Sequence, residues 1–140
     1  MCQDRKDPKA TKRARRRWRR LKVWKWVQVR AKWNGKTTAE SVCFYHRWLP
    51  GHNIAVMMDT LEYSEHDLGF HFYLRRRDAM AAGGRWRDWV LLQATVCPKD
   101  VRSIGWGDGL GGDNTRTLVA TAATVSKREY ARVLREGAKP

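Results

Sequence analysis

Residues 21–33 read LKVWKWVQVRAKW and carry the clearest repeating pattern in the chain. Most of its odd positions, from Leu21 to Trp33, are apolar, whereas Lys, Gln and Arg recur at even positions. A period of two places alternate side chains on opposite faces of a β-strand. The Asn34-Gly35 dipeptide that follows is typical of a hairpin turn. The stretch therefore predicts a half-buried strand that turns back on itself.

The remaining chain shows the same short strand signals, with two helical segments between or after them. Further strands are predicted at residues 37–45, 53–60, 69–74, 89–97, 101–105 and 117–125. The run 89–97 is the longest apolar run and predicts a central strand. A short helix is predicted at 75–82, and a second follows Ser126, whose capping box with Glu129 starts it. We expect an α+β fold with a small, mainly antiparallel, twisted sheet and two short helices.

The positive charge of the chain is concentrated at one end. Of the 29 Lys and Arg residues, 15 lie in residues 1–36 beside only two Asp, whereas residues 37–140 carry 14 basic and 12 acidic residues. Residues 1–20 show no apolar periodicity, so they predict a disordered basic arm. We therefore divide the chain into a flexible polybasic arm at 1–20 and a single α+β domain at 21–137.

Such a basic arm is typical of proteins that bind polyanions, because Arg and Lys neutralise phosphates and release condensed counterions. We expect nucleic acid as the partner, with RNA or single-stranded DNA favoured over duplex DNA because tryptophans stack on unpaired bases. The predicted binding residues are Lys12, Arg13, Arg15, Arg16, Arg17, Trp18, Arg19, Arg20, Lys22, Trp24, Lys25, Trp26, Arg30, Arg75, Arg76 and Arg77. A component of a ribonucleoprotein particle has the same make-up.

Other interpretations of the same residues stay open. Trp24 and Trp26 either form a stacking platform on the strand or pack under a later loop or helix. The arm either binds a partner or only solubilises the chain. An acidic segment at 61–68 is an alternative intramolecular partner for the arm. Membrane binding fits less well, because residues 17–26 form no clean amphipathic helix and no run approaches the ~18 apolar residues of a membrane span.

Catalysis is the second hypothesis. His71 lies in an apolar strand, where it is either a structural hydrogen bonder or a general base of a small nuclease or transferase. The groups expected to gather with it are His46, Tyr45, Tyr73 and Glu65, and Cys43 is a candidate nucleophile. None of them has diagnostic spacing, so we expect a protein that is not an enzyme. A third hypothesis is an inhibitor that binds a host protein through the domain surface.

The cysteine and histidine pattern does not predict a metal site or a cofactor. Cys43 and His46 have a CxxH spacing but point to opposite faces of the predicted strand, and no second close ligand pair completes a tetrahedral site. The three cysteines are odd in number and widely spaced, which argues against a disulfide framework and for a reducing compartment. We therefore expect a cytoplasmic protein without a metal or a cofactor.

Residues 69–125 carry one looser pattern. A Gly-aromatic-His strand begins at Gly69, a short helix follows, and the apolar strand 89–96 leads into a Pro98-Lys99-Asp100-Val101 turn. The pattern resembles that of small uncharacterised proteins of phages and mobile elements. The resemblance implies such an origin but no activity, and it leaves the basic arm outside.

Overall fold

The computed structural model describes residues 3–31, 34–41, 46–55, 69–83, 89–107 and 115–137. These residues form an α+β fold with ten strands and three helices. The strands are β1 (Gln3–Lys6), β2 (Leu21–Ala31), β3 (Thr37–Ser41), β4 (Arg47–Trp48), β5 (Gly51–Ile54), β6 (Phe70–Tyr73), β7 (Trp89–Val96), β8 (Val101–Gly107), β9 (Thr115–Ala120) and β10 (Ala122–Val125). The helices are α1 (Pro8–Arg15), α2 (Arg76–Ala82) and α3 (Lys127–Gly137).

The strands belong to one sheet in the order β1-β8-β9-β6-β2-β7-β10-β5, with β3 on β2 and β4 on β3. Each of these pairs is antiparallel. The expected antiparallel sheet is therefore present.

Strand β2 pairs along both of its edges. One edge pairs with β7 from Leu21 to Gln28. The other edge pairs with β6 at Trp24 and then with β3 from Val27 to Ala31. Its apolar odd positions from Leu21 to Val29 are buried, as the period of two predicts, and both Val23 and Val27 are fully buried. Burying an aliphatic side chain of this size contributes about 1.5–3 kcal/mol.

Strands β9 and β10 are separated by a single bend at Thr121, where the sequence predicts one continuous strand. The Thr121 N–H donates to the Asp100 carbonyl, and the Thr121 carbonyl accepts from the Ala55 N–H, both at 2.9 Å. On either side of this bend, β9 pairs with β6 and β10 pairs with β7. Because β6 and β7 also both pair with β2, the segment from β9 to β10 connects the two neighbours of β2.

An aromatic cluster fills one part of the core. Trp48 is fully buried, and its ring centroid lies 4.6 Å from that of Phe70 and 6.0 Å from that of Phe72. The Trp48 indole N–H donates to the Ser41 hydroxyl at 2.9 Å, so the one polar atom of this ring is satisfied. Strand β4 was not predicted separately, and its role is to carry this side chain inward.

Gly69 is required where the chain enters β6. Its φ is +139°, and a Cβ there would lie 2.7 Å from the Ala120 carbonyl oxygen. A side chain at this position would therefore disturb the backbone pairing of β6 with β9.

Helix α3 covers the part of the β7 edge that lies beyond the single β10 pair at Thr95. The Glu129 carboxylate accepts from the Gln93 backbone N–H at 3.0 Å, and the Arg132 guanidinium donates to the Leu91 carbonyl at 2.6 Å. Arg132 also forms an ion pair with Glu129. Two side chains thus satisfy backbone groups that a neighbouring strand would otherwise pair.

The start of α3 agrees in part with the predicted capping box. The Ser126 hydroxyl accepts from the Glu129 N–H at 3.1 Å, which is the expected N-cap bond. Glu129, however, directs its carboxylate to β7. Burial raises the pKa of Glu129, but hydrogen bonds from Arg132 and Gln93 outweigh this effect, so the pKa lies below its ordinary value.

The basic N-terminal segment differs most from the sequence-based expectation. A disordered arm at residues 1–20 is not confirmed, because residues 3–15 form β1 and α1 and pack against β8. The described residues thus contain three helices where two were predicted. Predicted strand residues 42–45 and 56–60, the acidic segment 61–68 and the glycine-rich residues 108–114 lie outside the described residues.

Replacement of Glu129 by Ala tests the docking of α3. We expect Glu129→Ala to lower the free energy of unfolding by about 1–3 kcal/mol near neutral pH, because Gln93 N–H and Arg132 lose their acceptor. Because the folded pKa of Glu129 is lowered, its contribution is present above the unfolded value of about 4.3 and is lost as the pH falls through the folded value. Urea denaturation of both proteins at neutral and acidic pH measures this difference.

The control is Arg128→Ala, an exposed position on the same helix. Equal stability of Glu129→Ala and the wild-type protein near neutral pH would contradict the assigned role of α3.

Candidate functional site

Helix α1 begins with a local capping signal. The Asp7 carboxylate accepts from the Ala10 N–H at 3.1 Å, and Pro8 occupies the first turn, where a missing N–H costs nothing. Ala10, Thr11 and Ala14 form the buried face of the helix. These small side chains let the helix lie close to β8.

Hydrogen bonds to the backbone of β8 hold α1 in place. The Asp7 N–H donates to the Ile104 carbonyl at 2.7 Å, and the Ile104 N–H donates to the Thr11 hydroxyl at 2.8 Å. At the other end of the helix, the Arg15 Nε donates to the Val101 carbonyl at 2.8 Å. The helix is therefore attached to β8 at both ends. The backbone that carries its charged side chains is held in position by these contacts.

The exposed cations of α1 and of the residues after it form a surface, which we call the basic face. Its members are exposed and lie close together in the chain. They are Lys9, Lys12, Arg13, Arg15, Arg16, Arg17, Arg19 and Arg20. No ion pair between described residues involves any of these eight side chains. The surface therefore keeps its positive potential.

A cleft lies beside the basic face, between α1, the end of β6 and strands β8 and β9. It has a volume of about 440 Å³. Four arginines line it, namely Arg13, Arg17, Arg75 and Arg116, and we call it the arginine cleft. Its other lining residues are Ala10, Ala14, Leu21, Leu74 and Ile104, which give it an apolar floor.

Arg116 is the most constrained of the four arginines. It forms an ion pair with Asp7 at 3.1 Å, and its guanidinium carbon lies 4.4 Å from the centroid of the Trp106 ring. The Arg5 guanidinium lies at the same distance from that ring. Because β8 lies between β1 and β9, the indole is flanked by two cations from neighbouring strands.

Asp7 forms an ion pair with one of the cleft arginines, and the Asp78 carboxylate accepts from the backbone N–H of the same arginine, Arg116, at 3.5 Å. The hydrogen bond from Ala10 lowers the pKa of Asp7 below its ordinary value, partial burial opposes this shift, and the Arg116 and Arg13 charges add to it. Asp7 therefore stays ionised near neutral pH and balances one of the four cleft arginines.

Trp18 follows α1 and is 84% exposed. The Arg19 guanidinium carbon lies 4.5 Å from the centroid of its ring. Because the indole is so exposed to solvent between Arg17 and Arg19, it has no packing role in the core. It offers a surface on which a planar ring can stack.

The basic face does not include Trp24, Lys25 or Trp26. The Trp26 indole N–H donates to the Ala79 carbonyl of α2 at 2.8 Å, and both indoles are half-buried. Of the two predicted alternatives, packing under a later helix thus describes Trp26. Lys25 lies on the core side of β2, where its ammonium group donates to the His71 carbonyl at 2.9 Å.

The remaining predicted cations are exposed and lie in three places. Arg75 lines the arginine cleft, and Arg76 and Arg77 follow it in the first turn of α2. Lys22 is exposed near the start of β2, whereas Arg30 lies near its far end, 3.9 Å from Glu40. Arg75 thus extends the basic face, and Arg30 does not.

The predicted catalytic residues are not assembled into one site. The His46 ring contacts Phe70 at a centroid distance of 4.6 Å and lies 3.2 Å from the Asn53 amide oxygen. Burial lowers the pKa of His46 below its ordinary value, and the Lys25 charge lowers it further against the Asn53 hydrogen bond.

His71 and Tyr73 alternate with Phe70 along β6, so their side chains lie on the opposite face of the strand from the Phe70 ring that His46 contacts. Both are buried. Cys43, Tyr45 and Glu65 lie outside the described residues. The nuclease or transferase hypothesis therefore gains no geometric support from the described groups.

Sequence reasoning missed α1 and Arg116. The start of α1 had a signal, because Asp7-Pro8 is a helix-starting pair and Ala10 and Ala14 have the spacing of one helix face. The run of charges obscured it. Arg116 had a weaker signal, as a single charge within a strand of Thr, Leu and Val, and only the fold shows its neighbours.

No helix in the described ranges is long and apolar enough to cross a membrane. Within the same ranges, no group of three or more His, Cys, Asp and Glu side chains is placed to hold a metal ion.

Comparison of the chain with protein-family models, curated proteins and solved structures gives no match. The phage or mobile-element origin that the pattern at 69–125 implies therefore stays a prediction.

Proposed function

We propose that the protein binds nucleic acid through the basic face and the adjoining arginine cleft, with Trp18 stacking on a base. The observation that carries this proposal is the basic face itself. Eight exposed cations lie on one helix and the turn after it, and none forms an ion pair with a described carboxylate. A polyanion gains affinity from such a surface by releasing its condensed counterions.

The geometry favours a single strand over a duplex. Base stacking contributes about 1–3 kcal/mol per base and needs an unpaired base, and the exposed Trp18 ring lies within the basic face. RNA loops and single-stranded DNA present such bases, whereas a duplex keeps them paired. A ribonucleoprotein component is one setting for this activity.

Arginine is the main cation of the surface, which suits phosphate recognition. A guanidinium donates two parallel hydrogen bonds to phosphate oxygens and also stacks on bases, whereas an ammonium group acts as a point charge. Six of the eight members of the basic face are arginines. Because Arg15 donates to β8 carbonyls, the helix that carries the others stays in place when a ligand binds.

A matched pair of triple variants tests the proposal. The first is Arg13→Gln/Arg16→Gln/Arg17→Gln in the basic face, and the second is Arg30→Gln/Lys36→Gln/Arg47→Gln at exposed positions near the far end of β2 and on β4. Both remove three positive charges. We expect the first to weaken binding of single-stranded RNA about tenfold or more and to reduce the salt slope by about 2–3, because three phosphate contacts are lost. The second should change the slope by less than about 1.

The measurement is fluorescence anisotropy of labelled single-stranded RNA, single-stranded DNA and duplex DNA between about 50 and 200 mM salt. Equal losses in the two variants would mean that net charge alone drives binding, which contradicts the proposed surface. Absence of salt-dependent binding by the wild-type protein to all three ligands would overturn the function.

Replacement of Trp18 by Ala tests the stacking contact. We expect Trp18→Ala to weaken binding of single-stranded RNA or DNA by about 1–3 kcal/mol and to leave the salt slope unchanged, because no charge is removed. Duplex binding should change little. Quenching of tryptophan fluorescence on titration with single strands gives a second reading, and Trp18→Ala should reduce it. An unchanged affinity for single strands would exclude base stacking on Trp18.

A further inference from the structure

The arginine cleft differs from the basic face in shape and in the origin of its charges. Its four arginines come from three parts of the chain, with Arg13 and Arg17 in and after α1, Arg75 before α2 and Arg116 in β9. A flat phosphate-binding surface would not need side chains from such distant parts of the sequence. The fold brings them to one concavity.

Among the described residues, one cleft guanidinium group forms an ion pair and the other three form none. Asp7 pairs with Arg116 at 3.1 Å. No described carboxylate lies within ion-pair distance of Arg13, Arg17 or Arg75. A single ligand group that neutralises more than one of these guanidinium groups must carry more than one negative charge.

Among the groups of a nucleic acid, only a terminal phosphate has this property. A phosphate monoester carries a charge of about −1.5 to −2 near neutral pH and has three terminal oxygens, each able to accept from a guanidinium. An internal phosphodiester carries one charge and two such oxygens. Three arginines therefore match the end of a strand better than its interior.

The volume of the cleft and its apolar floor are suited to the terminal nucleotide of a strand. A volume of about 440 Å³ lies within the range of small-molecule sites, about 300–1,000 Å³, so the cleft has room for a phosphate with its attached sugar. The floor of Ala10, Ala14, Leu21, Leu74 and Ile104 offers aliphatic side chains and no polar side-chain group to read a base edge. The arginines are therefore the groups in the cleft that can hydrogen-bond a ligand, and they suit phosphate oxygens.

From these observations we infer that the arginine cleft binds the terminal phosphate of a nucleic-acid strand. The inference rests on the proposed nucleic-acid binding and names the part of the ligand that enters the cleft. The basic face and Trp18 then bind the nucleotides that follow.

The test compares single-stranded oligonucleotides of about 12 nucleotides with and without a terminal phosphate, at the 5′ end and at the 3′ end. An unphosphorylated strand that is one nucleotide longer controls for the added charge. We expect the wild-type protein to bind the strand phosphorylated at one of its ends about tenfold more tightly than both unphosphorylated strands, since charge-assisted hydrogen bonds are added.

Two matched pairs of variants locate the site. Arg17→Gln and Arg75→Gln change cleft residues, whereas Arg16→Gln and Arg76→Gln remove the same charge at the next exposed position. We expect the preference for the phosphorylated end to fall to about twofold or less in the first pair and to remain in the second. A nucleoside monophosphate should compete for the cleft of the wild-type protein, and adenosine without a phosphate should not.

The outcomes separate this inference from the function on which it rests. Equal binding of phosphorylated and unphosphorylated strands by the wild-type protein would overturn the inference and leave nucleic-acid binding in place. A preference that survives in Arg17→Gln and Arg75→Gln would place the phosphate elsewhere and would also overturn it. Failure of every strand to bind would overturn both.

Discussion

The structure depends on the pairing of β2 with β7, which runs from Leu21 opposite Val96 to Gln28 opposite Trp89. This register fixes the buried face of β2 and leaves its other edge to β6 and β3. It also fixes the position of the basic segment, because α1 ends at Arg15 and β2 begins at Leu21. The short connection between them keeps α1 close to the start of β2, and α1 packs against β8 there.

The proposed site follows from this constraint and from the small residues on α1. A helix with eight cations on and after it would repel itself and separate from the domain if it had no anchor. Hydrogen bonds exchanged with Ile104 and the burial of Ala10 and Ala14 hold it in place. The same docking brings Arg13 and Arg17 to the cleft that Arg75 and Arg116 line.

Much of the fold could be predicted from local patterns, since β2, β7 and α3 each carry a strong one. The alternation of β2, the apolar run of β7 and the Ser126 cap are visible within a few residues. The bend at Thr121 and the docking of α1 depend on groups far away in the chain, such as Asp100 and Ile104. No local pattern contains those partners.

The candidate site could also be predicted from the sequence only in part. The cations of residues 12–20 and the Arg75 cluster were predicted from charge alone, and both line or adjoin the cleft. Trp26 and Lys25 were assigned to the same surface, but the fold directs them to α2 and to the core side of β2. Charge and aromatic content predict a class of ligand, whereas the face of a strand on which a residue lies decides whether it is available.

The most direct test of the account is an amide NMR titration of the full chain with a single-stranded oligonucleotide. Helical chemical shifts are expected for residues 8–15 in the free protein, and shift changes on binding are expected at residues 9–20, 74–77, 104 and 116. Residues 47–54 and 127–137 should stay unchanged. Random-coil shifts at 8–15 in the free protein, or changes centred on α3, would contradict a folded basic surface as the binding site.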